Sequence, residues 1–237
     1  MDRLSALPST LCFDLGSTIW DDRPALELQW GFLVEILASY GIDTSLEQIR
    51  EMANEVIRSF APTLTRVIVW QMTGRDEGKY RSIIREMVER MLPILDDPDQ
   101  FRRLNPLLPG AHETLAELAG RHRLAVISNN FASADRWMEY HGIYDYFEHI
   151  SMSGAHRLHK PDPRLFIVTL EALGVEAADA AMIGDRLDND IWPANRLGMT
   201  TVRILQGHYA VQQSRYHVDE PDACIDSLPE LLQLGRR

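Results

Sequence analysis

Four short stretches of this chain carry side chains that can do chemistry, and each lies where one structural rhythm gives way to another. The first is Asp14, which ends the apolar run Leu11-Cys12-Phe13 and leads into Leu15-Gly16-Ser17-Thr18-Ile19. A buried strand that stops at a carboxylate and a small, flexible turn is how an α/β protein presents a nucleophile or a metal ligand at its sheet edge. A carboxylate is a usable nucleophile toward phosphorus; standing alone here, it would equally well cap the turn. The second is Ser128, followed by Asn129, at the end of Leu124-Ala125-Val126-Ile127. Its hydroxyl and the backbone N–H groups after it can hold an oxyanion, although Ser-Asn-Asn is also an ordinary turn. The third, Lys160, opens Lys-Pro-Asp-Pro and is one of two lysines in a chain that otherwise uses arginine. A compact ammonium suits neutralising a carboxylate and a phosphate together, and it also suits a solvated surface. The fourth is Asp185 with Asp190, in Gly184-Asp185-Arg186-Leu187-Asp188-Asn189-Asp190. Magnesium takes hard oxygen ligands, usually one or two carboxylates plus waters. Aspartates also gather at helix N-termini, where the dipole favours them.

The elements that must position these residues follow from hydrophobic spacing. From about residue 24 to 92 apolar residues recur three and four apart. Leu26, Trp30, Leu33, Leu37 and Tyr40 form one helical face that Gly41 stops; Ile49, Ala53, Val56 and Phe60 form a second; Tyr80, Ile84, Met87 and Met91 form a third. Residues 64–70 fit helix or strand, and their helical neighbours favour helix. After Pro106 the rhythm alternates. Helix 111–120 precedes strand 124–127; a helix near 133–141, opened by Ser133, precedes a strand near 148–152. Asp162 and Pro163 start a helix that Gly174 ends, with Leu165, Phe166, Leu170 and Leu173 as its buried stripe. Strand 180–183, helix 189–197 stopped by Gly198, strand 200–205, strand 223–225 and helix 228–234 follow. This alternation predicts an α/β, Rossmann-like parallel sheet built from residues 1–21 and 106–237. The helical block over 22–105 is an inserted second domain.

Bulk composition narrows the function classes. The chain has 237 residues, is 45% hydrophobic and carries a net charge of −11, with a sequence pI near 5.2. That acidity argues against a nucleic-acid backbone as partner and suits a ligand that arrives with a cation. Cys12 and Cys224 sit far apart in apolar, strand-like runs and read as small core residues. No stretch reads as a signal peptide and none approaches the roughly 18 apolar residues of a membrane span. The expectation is a cytoplasmic protein.

Taken in order, the four stretches resemble the motifs of the haloacid dehalogenase superfamily, whose first motif reads Asp-x-Asp-x-Thr/Val after an apolar strand. Asp14 matches the first aspartate and Thr18 the threonine, while Gly16 stands where the second aspartate is expected. The resemblance implies a helical cap between the first and second motifs, closing over the carboxyl edge of the sheet. It implies that Asp14 is the nucleophile and a Mg2+ ligand, with the main-chain carbonyl of Gly16, Asp185 and Asp190 completing the metal site. Ser128, Asn129, Lys160, Ser17 and Thr18 are then the substrate-binding set, with Thr18 supporting the nucleophile loop. The implied partner is a small phosphorylated substrate rather than nucleic acid or membrane, and the chain is a monomer or homodimer. Trp20, Arg66, Trp70, Arg75 and Lys79 are candidates to meet the leaving group, although Trp20 and Trp70 also read as core aromatics.

Gly16 sets the expected chemistry apart. In the family's phosphatases the second aspartate protonates the leaving oxygen and then activates water, help worth on the order of 10²–10⁴ in rate. Its absence predicts a slow phosphatase that favours leaving groups departing readily as anions, such as acyl, anhydride or phenolic phosphates. Asp21 and Asp22 read first as solvated residues or a cap for the helix at 24; either of them, or a water in the space left by Gly16, is an alternative source of the missing acid. Dehalogenases also lack this aspartate, but they use no metal and replace the fourth-motif acids, which are present here as Asp185 and Asp190. Phosphonoacetaldehyde hydrolases keep magnesium and need a cap lysine. Lys79 is the one lysine in the block, beside the polar stretch Gly74-Arg75-Asp76-Glu77-Gly78. A third reading is a module that binds phospho-ligands without turnover.

Overall fold

The structure, a computed structural model, describes residues 6–234. These divide into two compact units, one made of residues up to Asp21 and from Pro106 onward, the other of Asp22–Asn105. In the first unit six strands form one parallel sheet: β1 (Thr10–Phe13), β2 (Arg123–Ser128), β3 (His149–Met152), β4 (Ala180–Gly184), β5 (Thr200–Ile204) and β6 (Ala223–Ile225). Their spatial order is β3-β2-β1-β4-β5-β6. All of β1 and all of β4 are buried, which is why they read as unbroken apolar runs rather than alternating ones.

Register decides where the chemistry falls. Phe13 at the end of β1 lies opposite Val126 of β2 on one side and Ile183 of β4 on the other. The Asp14 N–H then donates to the Ile183 carbonyl at 2.9 Å, so the next residue is still tied to the sheet. Asp14, Ser128 and Asp185 thus emerge at the carboxyl ends of three adjacent strands. The chain runs from β1 outward to β2 and β3 and then returns past β1 to β4. Open α/β sheets bind ligands at such a reversal.

The inserted unit is all-helical: α1 (Arg23–Ser39), α2 (Leu46–Arg58), α3 (Leu64–Met72), α4 (Glu77–Leu95) and α5 (Pro98–Leu104). Here α1 packs on α4 and α2 on α3, with Trp30, Leu33, Ile36, Leu37, Ile83, Met87 and Met91 buried. In the sheet unit lie α6 (Ala111–Ala119), α7 (Asp135–Tyr140), α8 (Ser153–His156), α9 (Pro163–Leu173) and α10 (Trp192–Leu197). The Asp162 side chain accepts from the Arg164 N–H to cap α9, and Gly174 ends it in the left-handed region at φ 64°. Its stripe of Leu165, Phe166, Leu170 and Leu173 packs with Cys12, Ala125, Ile127 and Met182 of the sheet. Each such large side chain contributes about 1.5–3 kcal/mol on burial.

Several local expectations are corrected. Residue 133 caps nothing: α7 starts after Ala134, without a side-chain cap. The helix expected over 189–197 is two pieces, a widened π turn at Leu187–Ile191 and then α10. The last helix is a 3-10 helix, Leu228–Gln233. In the inserted unit Ile83 is buried where Ile84 was expected, and Tyr80 and Tyr40 are only partly covered. Cys224 is exposed, not core, because β6 is the sheet's edge strand and its middle residue faces outward. Among the described residues, no helix is long and apolar enough to cross a membrane.

Candidate active site

The carboxyl ends of β1, β2 and β4 bring the sequence-predicted residues to one place. Lys160 Nζ lies 2.8 Å from Asp14 Oδ1 and 2.6 Å from Asp190 Oδ1. The Ser128 hydroxyl donates to the same Asp14 oxygen at 2.8 Å, and Asn130 Nδ2 donates to Ser128 Oγ at 2.9 Å. The second oxygen of Asp190 accepts the Arg186 backbone N–H at 3.0 Å. Carboxylate oxygens of Asp14, Asp185 and Asp190 all lie within 4.8 Å of one another. Lys160 is buried, at 4% exposure, which excludes a solvated surface lysine.

The supports for this arrangement come from residues of plain appearance. Asn129 clasps the main chain of Lys160 from both sides: its Nδ2 donates to the Lys160 carbonyl at 2.9 Å and its Oδ1 accepts the Lys160 N–H at 2.8 Å. Its amide is therefore a brace for the lysine. Gly184 ends β4 beneath Asp190, and a Cβ there would stand 2.5 Å from the Asp190 carboxyl carbon. That side chain is fully buried and held at both oxygens, so it has nowhere to go. Gly184→Ala is accordingly expected to lose roughly 1–3 kcal/mol of stability by overpacking. Thermal unfolding checks this, and an unchanged midpoint would show that the Asp190 pocket is loose. Gly207, at φ 67° and ψ −163°, meets the turn after Asp14: a Cβ would come within 2.5 Å of the Ser17 Cβ. Only glycine occupies that backbone region without strain. Ser17 and Thr18 are both buried. Among the described residues the Thr18 hydroxyl has no hydrogen-bond partner.

Charge in the cluster is unbalanced. Three carboxylates face one ammonium. Burial pushes the Asp190 carboxyl up to about 6, Lys160 opposes the rise, and the charge of Asp14 adds to it. For Lys160, burial pulls downward, but the two carboxylates reverse this and hold it above its ordinary value. Hard oxygen donors with surplus negative charge in a buried setting are what a small divalent cation needs. Asp14, Asp185 and Asp190 fit that requirement.

Sequence reasoning missed Asn130, Gly184, Gly207 and the bracing role of Asn129. Asn130 and Gly184 carry only the weak signal of standing beside a motif residue, and Gly207, far from every motif in sequence, carries none. Of the leaving-group candidates, Trp20 is buried in the sheet unit and Trp70 is 37% exposed in the helical unit. Lys79 is exposed on the first turn of α4, where its N–H donates to Asp76.

A family model described as haloacid dehalogenase-like hydrolase matches residues 8–198. A Methanopyrus kandleri protein named glyceraldehyde 3-phosphate phosphatase is 43% identical over 231 residues, covering 94% of this chain and 95% of that one. Among solved structures, a HAD phosphatase from Thermococcus onnurineus aligns at TM-score 0.65 and 22% identity, over 95% of this chain and 96% of that one. A 2-haloacid dehalogenase from Pseudomonas syringae aligns at 0.61 and 24%, over 96% and 97%. The two solved structures speak for the fold alone, since one fold hosts several chemistries. The family model and the relative from M. kandleri go further, and this chain belongs to the haloacid dehalogenase-like hydrolases.

Proposed function

We propose that this chain is a cytoplasmic, magnesium-dependent phosphatase acting on a small phosphorylated metabolite, with Asp14 as its nucleophile. What carries the reading is the meeting of Asp14, Ser128 and Lys160 with the acidic pair Asp185 and Asp190 at neighbouring strand ends. An Asp14 carboxylate oxygen forms the new bond to phosphorus while the ester oxygen leaves, giving an aspartyl-phosphate. Lys160 holds positive charge beside the attacking carboxylate. The Ser128 hydroxyl can turn from Asp14 to a phosphoryl oxygen, since a hydroxyl rotates freely to suit its acceptor. Water then attacks the phosphorus and restores Asp14. Magnesium, held by Asp14, Asp185, Asp190 and the carbonyl of Gly16, would supply the remaining positive charge against the phosphoryl oxygens.

Gly16 provides no proton for the leaving oxygen, so good anionic leaving groups are favoured. The M. kandleri relative pulls the other way, because the substrate in its name is an alkyl phosphate. Phosphate release from aryl, acyl and alkyl phosphates, glyceraldehyde 3-phosphate included, separates the two. On the Gly16 argument, aryl and acyl phosphates are faster, and Gly16→Asp raises alkyl turnover at least tenfold, toward the 10²–10⁴ typical of general acid–base help. Equal rates on alkyl and aryl substrates would sink the leaving-group preference and leave the phosphatase standing. No phosphate release from any of them by either form would sink the phosphatase.

A further inference from the structure

A second polar network begins one residue beyond Asp185. The Arg186 guanidinium grips Asp188 with two bonds, Nε to Oδ1 at 3.1 Å and Nη2 to Oδ2 at 2.6 Å. Its Nη1 donates to the Tyr209 hydroxyl at 3.0 Å, and its centre lies 4.1 Å from the Tyr209 ring centroid. Gln212 closes the circuit: its Oε1 accepts the Leu187 N–H at 2.9 Å and its Nε2 donates to Asp188 at 3.1 Å. From β5, Arg203 donates to the Asp185 carbonyl at 3.2 Å, the Gln212 carbonyl at 3.0 Å and the Tyr209 carbonyl at 2.8 Å. Arg186, Arg203 and Gln212 are all buried.

Two guanidinium groups therefore bolt the backbone of 185–188 to the segment 209–212. Geometry gives the bolt a consequence. The backbone N–H of Arg186 is the one that holds the second oxygen of Asp190. Asp190 lies within the widened turn Leu187–Ile191, which begins two residues after Asp185 and whose spacing nothing in an ordinary helical repeat fixes. A planar guanidinium that is doubly bonded and stacked is pre-organised, and lysine reproduces neither feature. We infer that Arg186, held by Asp188 and Tyr209 with Gln212 bracing Asp188, is a positioning residue that sets the spacing of Asp185 and Asp190. It thereby governs how tightly the acidic cluster takes up a divalent cation. This rests on the magnesium reading above. It assigns no contact with substrate to Arg186, whose guanidinium is spoken for by the network.

The test is Mg2+ binding by titration calorimetry on the wild type, Arg186→Lys, Tyr209→Leu and Tyr209→Phe. Metal-free melting temperature and the Mg2+ dependence of phosphate release are followed alongside. Partners that orient metal ligands typically cost 10–100-fold in affinity when changed. Arg186→Lys and Tyr209→Leu are expected to weaken Mg2+ binding at least tenfold, and Tyr209→Phe, which keeps the ring, by less. At saturating Mg2+ the kcat of each should return toward wild type. Variants that melt lower but bind Mg2+ as the wild type does would reduce Arg186 to a structural brace and overturn the inference. So would a kcat deficit that saturating metal fails to repair. Should Arg186→Lys not fold, the Tyr209 pair decides the matter on the same criteria. Absence of Mg2+ binding by the wild type would instead remove the magnesium reading, and this inference with it.

Discussion

Lys160→Met is expected to damage stability and activity together. The Lys160 ammonium touches Asp14 at 2.8 Å and Asp190 at 2.6 Å, and Asp185 lies in the same cluster. Methionine keeps the volume and removes the charge, so carboxylates remain in a buried place with no cation between them. Breaking a buried pair by deleting one partner costs about 3–5 kcal/mol, because the charge left behind cannot reach water. For a chain of this size that is roughly 6–20 °C in melting temperature. Magnesium should restore part of the loss, since a divalent cation supplies the missing counter-charge and binds only the folded state. Phosphate release should stay low even with the metal, because the charge beside the attacking oxygen is gone. Thermal unfolding with and without Mg2+ reads this directly. A metal-free variant that melts within a degree or two of the wild type would mean that Lys160 is not the counter-charge of the cluster.

How much of this was legible in the residues depended on the range over which each signal acts. The strand ends were plain. Leu11-Cys12-Phe13 and Ala181-Met182-Ile183 are apolar because both faces of a parallel strand are covered, and the first carboxylate after each marks where the strand gives out. Helix α9 was equally plain, since Asp162, Pro163 and Gly174 act within one turn of its ends. Lys160 was legible in position but not in environment. Nothing in Lys-Pro-Asp-Pro announces burial, and Asp190, its partner, is 30 residues away. The expected helix 189–197 runs through the end of the π turn at Leu187–Ile191, since nothing in the residue types marks the widening by which Asp190 turns inward over Gly184. The clamp on Arg186 was invisible. Tyr209 and Gln212 come from a short 3-10 segment and its exit, with no periodicity to flag them, and only the fold brings them to Asp188. Cys224 failed for a related reason: alternation on an edge strand of three residues is too short to show which face is covered.

Asp14→Asn should separate what Lys160→Met confounds. The amide oxygen of asparagine can still accept from Ser128 and Lys160, so the hydrogen bonds that place the side chain survive. Neutralising residue 14 also relieves Asp190, whose carboxyl is pushed up in part by the charge of Asp14. Lys160 loses one attractive partner and keeps the other. These effects oppose one another, and the metal-free melting temperature is expected to move by no more than a few degrees. Activity should not survive. An amide oxygen is too weak a nucleophile to displace an ester from phosphorus, and removing a nucleophile from a concerted catalytic set typically costs on the order of 10⁴ or more in kcat. Two changes in one cluster thus give different signatures: the lysine variant unstable and slow, the aspartate variant stable and inert. Trapping sharpens the contrast, since the wild type should show a phosphorylated Asp14 in rapid-quench mass spectrometry and Asp14→Asn should show none. An aspartate variant retaining more than a tenth of wild-type phosphate release would mean that the attacking group lies elsewhere. Asp14 would then be a ligand and counter-charge only, and the nucleophile would have to be sought as a water activated by the same cluster.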